Sequence, residues 1–334
     1  MDALPSMSDS GVIFIVTSKV DPHADAVIAN LAASGEPVFR LNTEDLLNRY
    51  WLSGSVGPDW GLGVDFRDEM GRLVSFPTGV KSAYHRKPDP VLPHRELVDA
   101  GTSDFVCKEG DEFIRSLAAF PGVRWVNNPI RIRAAQHKLP QLEAARRLGL
   151  SVPRSIVTND PAQAQAFCEA CGWAVICKAF ATSVVLIDGE ARNVYTSAPA
   201  RKEIEEKIHS IRLGVHFLQE YVPKAFELRI TIIGRQVFAC KIDSQSLDES
   251  KIDWRLVDPF TLHHEEYDLP EDVSSKLLAL LDNFGLSFGA IDMIVTTSGK
   301  YVFVENNPNG QWYWIELKTG MPMAKAMADH LIGR

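Results

Sequence analysis

The feature that most constrains the fold is a pair of apolar segments near the C-terminus with polar side chains inside them. The segments FGAIDMIVT and YVFVENN flank the short turn TSGK. This pattern predicts two antiparallel strands joined as a hairpin. Asp292 lies in the first strand, and Glu305 and Asn307 lie at the end of the second. Because residues two apart share one face of a strand, the hairpin can bring Asp292 beside that pair.

These three side chains indicate a metal site. Oxygen ligands that converge inside an apolar sheet are costly to bury without a cation. Mg²⁺ prefers such ligands and is usually completed by substrate phosphates and water. The alternative is that the three are polar strand-end residues that cap turns. Their convergence favours the metal site.

Two lysines add a site for phosphates. Lys178 lies inside the apolar segment WAVICKAF, and a lysine within a buried strand needs an anionic partner. Lys138 lies beside the start of a predicted helix. Each alone is typical of a surface lysine whose stem covers apolar neighbours. Together with the predicted metal site, they suggest two contacts to phosphate groups.

The segment FLQEYVPKAFELRIT suggests a nucleotide site at a domain junction. The backbone from Glu220 to Val222 can pair with the edge of an adenine. Glu227 and Arg229 alternate along a strand and therefore share a face. Glu227 is suited to accept hydrogen bonds from ribose hydroxyls, and Arg229 to hold a transferred phosphoryl group.

The N-terminal part predicts an open α/β layer. GVIFIVTS is typical of a buried parallel strand, and a helix capped by Asp21 and the strand PVFRLN follow it. No GxGxxG motif follows the first strand, so the dinucleotide-binding fingerprint is missing. Residues 51–80 predict antiparallel strands, and a long helix is predicted from about Pro93 to Phe120.

The whole chain therefore belongs to the α/β class, with α+β elements. Residues 1–10 are predicted to be a disordered leader. Pro140 either begins a new helix or kinks a longer one. A hairpin is predicted around Asp188-Gly189. The predicted domains are an N-terminal α/β domain, a central domain and a C-terminal antiparallel-sheet domain, with the limits 11–128, 129–220 and 221–334.

Composition limits the possible partners. The 334 residues carry a net charge of −8, which argues against non-specific nucleic-acid binding. No apolar stretch is long enough to span a membrane, and the N-terminus does not resemble a signal peptide, so a cytoplasmic location is expected. The CxxC pair Cys168 and Cys171 is interpreted as structural, with a redox or metal site as the alternative. The adjacent His263 and His264 are interpreted as surface residues.

The order of these motifs resembles an ATP-grasp ligase. The ending VENNPNGQWYWIE, the segment KIDSQSLDESKIDWR and the phrases FRLN and YHRKP resemble a narrower group, the ATP-grasp macrocyclases that make graspetides of the microviridin type. The resemblance covers about residues 11–334. It implies an ATP-grasp fold in which an N-terminal pre-ATP-grasp domain precedes two ATP-grasp subdomains.

The resemblance implies an ADP-forming ligase that uses ATP and Mg²⁺, with two ions expected. An Asp or Glu side chain of a ribosomal precursor peptide is phosphorylated. A Ser/Thr hydroxyl or Lys amine then attacks it, which gives an ω-ester or ω-amide ring. By this resemblance, the residues are assigned as follows: phosphate contacts by Lys138 and Lys178, adenine contacts by Glu220 and Val222, ribose contacts by Glu227, metal contacts by Asp292, Glu305 and Asn307, of which Asn307 also contacts the nucleotide, and catalysis by Arg229, Arg255 and Asp253.

Arg255 is assigned as a clamp for the acceptor carboxylate, and Asp253 either orients it or takes a proton from the nucleophile. The alternative for the DWR segment is a salt-bridged surface turn. Arg86 of YHRKP is a weaker candidate for the same cleft. The hairpin VVLIDGEARNVY and the helix near Glu203–Ile211 are expected to bind the leader peptide, and a homodimer is expected. The segment KAFATSVVLIDGE departs from many ATP-grasp proteins because it has only one glycine over the phosphates.

Two other functions stay open. One is an ATP-grasp ligase that joins amino acids or small acids. The other is a leader-peptide-binding protein without catalysis, which the complete set of acidic and lysine residues argues against.

Overall fold

The computed structural model describes residues 11–57, 61–180, 184–187, 189–193 and 196–334. Parallel and antiparallel sheets are combined in one chain, as the α/β prediction with α+β elements requires. Each predicted region builds its own sheet, and the limits of the domains stay predictions.

The N-terminal region is organised around one apolar strand, all six residues of which are buried. Asp21 begins the next helix by accepting hydrogen bonds from the N–H groups of His23 and Ala24. A parallel sheet has the order β2-β1-β6-β7, and the predicted antiparallel strands form a second sheet, β3-β4-β5. The elements are β1 (Val12–Thr17), α1 (Pro22–Ala33), β2 (Val38–Asn42), α2 (Leu46–Arg49), β3 (Tyr50–Gly57), β4 (Gly61–Asp68), β5 (Leu73–Phe76), β6 (Val80–His85), α3 (Ala100–Ser116) and β7 (Trp125–Val126).

The helix predicted from Pro93 is shorter than expected. It begins at Ala100, because the Asp99 side chain accepts a hydrogen bond from the Thr102 N–H and so sets the first turn.

The central region places one strand between two antiparallel neighbours, in the order β8-β12-β9. Pro140 lies in the first turn of a new helix, where an N–H is not needed, so the unkinked interpretation is confirmed. The predicted hairpin is present, although its turn residue Asp188 lies outside the described residues, as do residues 181–183. The elements are α4 (Pro129–Ala135), α5 (Lys138–Arg147), β8 (Ser155–Thr158), α6 (Pro161–Ala170), β9 (Val175–Lys178), β10 (Val184–Ile187), β11 (Glu190–Asn193), α7 (Arg201–Lys207) and β12 (His216–Glu220).

The C-terminal region is a five-stranded antiparallel sheet with the order β15-β14-β13-β16-β17. Its first hairpin turns at Gly234, whose φ of +59° favours glycine. Apolar residues of the amphipathic helix α8 pack on this sheet. The helix α9 was not predicted. The elements are β13 (Phe226–Ile233), β14 (Gln236–Ile242), β15 (His264–Glu266), α8 (Glu271–Phe284), β16 (Phe288–Val295), β17 (Tyr301–Asn307), α9 (Tyr313–Thr319) and α10 (Met323–Ile332).

The end of the chain packs back on the N-terminal region. Leu331 of α10 shares a core with Leu31 of α1, and its carbonyl accepts a hydrogen bond from the buried Ser82 hydroxyl (2.7 Å). Arg124 donates to the carbonyl of His330 (2.7 Å). The first and last parts of the fold are thus one packed unit.

Two sequence interpretations concern histidines and cysteines. His263 is exposed, but His264 is only 9% exposed and packs edge-on against Trp314, so its surface assignment was wrong. Neighbouring residues of a strand face opposite sides, and here one side is the core. Cys168 and Cys171 are buried free thiols whose pKa values are raised by burial, which fits packing better than reactivity. Within the described ranges, no helix has the length and apolarity to cross a membrane.

Candidate active site

A cleft of about 330 Å³ lies between the β8-β12-β9 sheet and the five-stranded sheet. All of the predicted site residues line it except Arg229. Residues from the central region form one wall, and residues from β13, β16 and β17 form the other. The lining includes Lys138, Lys178, Glu220, Val222, Glu227, Asp253, Arg255, Asp292, Glu305 and Asn307.

The predicted hairpin brings the three oxygen ligands together. Asp292 lies directly opposite Glu305 in the β16–β17 pair, and Ala290 lies opposite Asn307. The register shifts immediately after Asp292. All three polar side chains line the cleft, as the alternation of the strand predicted.

Glu305 is held by cations from the central region. Lys138 Nζ lies 2.8 Å from its Oε2, and both side chains are about a fifth exposed, at 21% and 23%. Burial opposes ionisation of Glu305, but the charges of Lys138 and Lys178 outweigh it and hold the pKa of this carboxyl well below its usual range. Glu305 is therefore ionised at neutral pH. The pKa of Lys178 is lowered by burial, which the charge of Glu305 partly offsets.

A buried glutamine fixes the position of Lys138. Gln141 Nε2 donates to the carbonyl of Asn306 (2.7 Å), and its Oε1 accepts from the Asn306 N–H (2.8 Å). Helix α5 is therefore attached to the strand that carries Glu305. Lys138 is the first residue of α5, so this attachment places its ammonium group beside the Glu305 carboxylate.

Arg229 lies behind the metal-type residues rather than in the cleft. It is paired with Asp292 across adjacent strands, and its Nη1 donates to Asp292 Oδ1 (2.9 Å). Its Nη2 donates to the carbonyl of Gln311 (2.9 Å), and the residue is 7% exposed. Contact of Arg229 with a phosphoryl group stays a prediction. In this structure its guanidinium is engaged by Asp292 and by the Gln311 carbonyl, which is suited to orienting Asp292.

The predicted adenine contact depends on backbone rather than on the Glu220 side chain. That carboxylate forms two hydrogen bonds with Arg154, from Nε (3.0 Å) and Nη2 (3.1 Å). The N–H groups of Glu220 and Tyr221 donate to backbone carbonyls of the sheet. Among the hydrogen bonds of the described residues, none involves the Val222 N–H. This group lines the cleft and is the one able to meet a purine edge.

Glu227 has a partner that the sequence analysis missed. Lys224, which is 7% exposed, donates from Nζ to Glu227 Oε1 and to the carbonyl of Ile252 (3.2 Å). Burial raises the pKa of Glu227, and Lys224 partly offsets the effect. Lys224 lies in the proline-containing loop before β13. No periodic pattern distinguishes it there from a surface lysine.

The DWR segment is a compact ion pair that faces the cleft. Asp253 Oδ1 accepts from Arg255 Nε (2.8 Å), and its Oδ2 accepts from Arg255 Nη2 (2.6 Å) and from the Thr196 N–H (3.3 Å). The Arg255 side chain is 49% exposed, whereas that of Asp253 is 4% exposed. Burial raises the pKa of Asp253, but Arg255 overrides this effect and lowers it. The buried Asp253 carboxylate thus holds the Arg255 guanidinium in a fixed orientation at the cleft.

A second recess of about 740 Å³ adjoins the cleft. It is formed by the α4–α5 junction and by the end of β17. Lys138, Phe180, Glu305 and Asn307 belong to both cavities. The acidic end of β17 can therefore be reached from two sides, which suits a reaction between two bound molecules.

The donor set fits Mg²⁺. Two carboxylates and an amide oxygen are hard ligands, and Mg²⁺ commonly takes only one or two carboxylates and completes its shell with phosphate oxygens and water. In the described part of the chain, no three His, Cys, Asp or Glu side chains form a closed metal cluster. The site is thus suited to a cation that arrives with a nucleotide rather than to a structural metal.

Solved structures of known proteins share this architecture. The macrocyclase MdnC from Microcystis aeruginosa MRC, bound with the precursor peptide MdnA, is 29% identical with a TM-score of 0.82, and the match covers 96% of this chain and 99% of that chain. A Chryseobacterium gregarium RiPP-associated ATP-grasp ligase, in complex with ADP and a leader and core peptide, is 26% identical with a TM-score of 0.88, and 96% of each chain is covered. The macrocyclase MdnB from Microcystis aeruginosa MRC is 25% identical with a TM-score of 0.77, and 97% and 100% of the two chains are covered.

The chain shares the ATP-grasp fold of these macrocyclases and of this RiPP-associated ligase. The match in each case spans nearly the full length, so the pre-ATP-grasp region is included. No protein-family model matches the chain, and no curated protein matches it either. The structural comparison and the residues of the cleft therefore carry the assignment.

The sequence predicted most of the residues that line the cleft, but not the residues that support them. Lys224 lies only three residues from its partner Glu227, but its position in a loop gave no sign of burial. Gln141 and Arg154 were missed because each acts through a contact between segments distant in the chain. No local spacing indicates such contacts. Arg86, the weaker candidate, does not line the cleft, and its guanidinium contacts Asn309 instead.

Proposed function

We propose that the chain is an ATP-dependent peptide macrocyclase. A carboxylate oxygen of an Asp or Glu in a precursor peptide attacks the γ-phosphorus of ATP, and ADP leaves. A Ser/Thr hydroxyl or Lys amine of the same peptide then attacks the acyl carbon of the acyl phosphate, loses its proton and displaces phosphate. The peptide thereby loses the elements of one water for each ω-ester or ω-amide ring.

The observation that carries this proposal is the convergence of ten predicted residues on one cleft between two sheets. Their chemistry is divided along the cleft. A free backbone N–H and a buried carboxylate lie at the Val222 and Glu227 end, and the cations Lys138 and Lys178 lie beside the oxygen ligands. The Chryseobacterium gregarium ligase, which shares this architecture, was solved in complex with ADP.

ATP and Mg²⁺ are assigned to this chain on these grounds. Asp292, Glu305 and Asn307 would hold the ion, which neutralises charge on the transferring phosphoryl group. Lys138 and Lys178 would bind phosphate oxygens. The Lys138–Glu305 ion pair is partly exposed, so Lys138 can then exchange Glu305 for a phosphate oxygen. Catalysis is mostly positioning and electrostatic stabilisation.

Arg255 would clamp the acceptor carboxylate. Its guanidinium is half exposed and already oriented by Asp253, so little conformational entropy is lost when a second carboxylate binds. All the oxygens of Asp253 are engaged, and its pKa is lowered. The geometry therefore favours Asp253 as the residue that orients Arg255 over its use as a base for the nucleophile.

The precursor peptide is proposed to reach both the cleft and the leader-binding region. MdnC was solved with a precursor peptide, and the Chryseobacterium gregarium ligase with a leader and core peptide. The hairpin of β10 and β11, with the helix α7 after it, offers a strand edge and a helix for leader capture. The second recess gives the core a route to Glu305 that does not cross the nucleotide. A homodimer stays part of this proposal.

The test uses the purified protein, Mg·ATP and the short peptide encoded beside its gene. We expect ADP and phosphate to form only with the peptide, and the peptide to lose the mass of one water per ring in mass spectrometry. Hydroxylamine trapping should capture the acyl phosphate. Alkaline hydrolysis distinguishes an ester ring, which opens, from an amide ring, which resists.

Two results would overturn the proposal. ADP formation with free amino acids but with no encoded peptide would identify a small-molecule ligase. Peptide binding without any ATP consumption would identify a binding protein that lacks catalysis.

A further inference from the structure

The loop of residues 307–312, NPNGQW, connects the end of β17 to α9 and begins at a proposed metal ligand. Asn307 Oδ1 faces the cleft at one end of this loop, where it accepts a hydrogen bond from the Asn309 N–H (3.1 Å). The other side of the loop is in contact with the N-terminal region. The function proposed for the cleft gives that region no role.

Arg86 is the main contact across this boundary. Its Nη1 donates to the carbonyl of Asn309 (3.2 Å) and to Asn309 Oδ1 (3.3 Å). Arg86 is only 2% exposed, and the nearest carboxylate in the described structure, on Asp21, lies 3.9 Å from its Nε. A buried guanidinium without a close ion pair is costly. The loop is thus held at one residue by a charged donor from the N-terminal region.

Two neutral contacts from the same region support the loop on either side of Asn309. Asn127 Nδ2 donates to the carbonyl of Pro308 (2.9 Å). His23 Nε2 accepts from the Trp312 N–H (3.2 Å). The N-terminal region therefore contacts three of the five residues of the loop after Asn307.

The loop has little room to move toward the cleft. A Cβ added at Gly310 would lie 2.8 Å from Arg229 Nη2 and 3.2 Å from Asn307 Cβ. Arg229 is the residue that orients Asp292. A displacement of the loop would therefore shift both Asp292, through Arg229, and Asn307.

We propose that Arg86 is a positioning residue for the metal ligand Asn307. Arg86 fixes Asn309, and the Asn309 N–H fixes the amide oxygen of Asn307. The proposal rests on the proposed function, since it takes Asn307 to be a ligand for Mg²⁺. It gives the N-terminal region a task in nucleotide binding, although none of its residues lines the cleft.

The first test measures ADP binding by calorimetry with Mg²⁺ and with EDTA in its place. In the wild type, Mg²⁺ should strengthen ADP binding. Arg86→Gln should lose about tenfold or more of this Mg²⁺-dependent gain, as supports of metal ligands commonly do. Its ADP affinity in EDTA should stay unchanged, which a general loss of stability would not produce. Asn307→Ala should lose the gain too, and the double variant should be no worse than the worse single variant.

The second test needs no ligand. Amide hydrogen exchange of residues 308–312 should be faster in Arg86→Gln than in the wild type. If the glutamine variant does not fold, Arg86→Lys keeps the buried charge, loses the planar group that reaches Asn309, and should show the same two changes.

Arg124→Gln is the matched control. Arg124 also crosses from the N-terminal region and donates to backbone carbonyls, at His330 and Leu331, but it does not contact the loop. Wild-type Mg²⁺ gain and wild-type loop exchange in Arg86→Gln would overturn the proposal. Equal losses in Arg124→Gln would overturn it too, because they would indicate only the general docking of the region. If the wild type binds no ADP, the proposed function fails, and the exchange experiment still decides whether Arg86 orders the loop.

Discussion

The two sides of the strand end and loop at residues 305–312 are held in different ways. On the cleft side, Glu305 is held by Lys138, and both side chains are about a fifth exposed. On the opposite side, Arg86 and Asn127 are nearly fully buried and bind backbone carbonyls. One side uses charges that water and ligands can reach, and the other uses contacts that are closed to solvent.

The difference separates parts that exchange partners from parts that stay fixed. A partly exposed ion pair is weakly favourable, so Lys138 and Glu305 can separate when a phosphate and a cation arrive. Buried hydrogen bonds to a carbonyl are costly to break, because the unpaired groups cannot form hydrogen bonds with water instead. Changes on the cleft side should therefore alter chemistry with little loss of stability. Changes on the fixed side should alter geometry and stability together.

The largest effect is expected on the cleft side, from Glu305→Gln. This change keeps the shape and removes the charge that a cation needs, so peptide-dependent ADP formation should fall by about 10²–10³-fold. Melting temperature and peptide affinity should stay close to wild type. A coupled assay for ADP, thermal unfolding and peptide binding by fluorescence anisotropy measure the three quantities.

Glu265→Gln is the control for this change. Glu265 lies in the same sheet and pairs with Lys241, but both side chains face solvent away from the cleft. Its turnover should equal that of the wild type. Full activity of Glu305→Gln would exclude Glu305 as a metal ligand.

The next effect concerns the peptide half of the cleft. Arg255→Ala removes the half-exposed guanidinium, and ring formation should fall by about 100-fold, while Mg·ADP affinity changes less than about twofold. Mass spectrometry of the peptide and calorimetry with ADP separate these results. Asp253→Asn should show a smaller loss, since it frees Arg255 without removing it. Unchanged cyclisation by Arg255→Ala would exclude the clamp.

These expectations also show what the sequence could and could not predict. Asp292, Glu305 and Asn307 were predictable because the alternation of a strand and the geometry of a hairpin are local. Their register in the structure is the predicted one. Arg229 was placed correctly on its strand, but its contact with Gln311 was not predicted, because it joins residues distant in sequence. Gln141 likewise acts through a contact with Asn306, which is distant in sequence. Arg86 was noted as a candidate. Its contact with Asn309 could not be predicted, because the two residues are far apart in the sequence.

A moderate effect is expected from Lys224→Met. This change leaves the buried Glu227 without its cation, so Glu227 should take up a proton and accept ribose hydroxyls less well. We expect about a tenfold loss of ADP affinity by calorimetry. Lys224→Met with Glu227→Gln should be less harmful than the sum of the two, because the pair acts together. Strict additivity would contradict a role for this pair.

The smallest effect depends on pH and concerns His85 in the N-terminal region. Burial lowers the pKa of His85, which precedes Arg86, to about 4 in the folded protein. In the unfolded chain the value is near 6.5, so between these two values the unfolded state binds more protons. The free energy of unfolding should therefore be fully retained above pH 6.5 and should fall as the pH drops towards 4.

At pH 6, this single group should lower the free energy of unfolding by about 1 kcal/mol relative to pH 8. Urea unfolding at the two pH values measures the difference, and His85→Gln should reduce it by about that amount. His263→Gln is the control, because the His263 side chain is 70% exposed. If His85→Gln leaves the pH dependence unchanged, the buried imidazole is not held neutral.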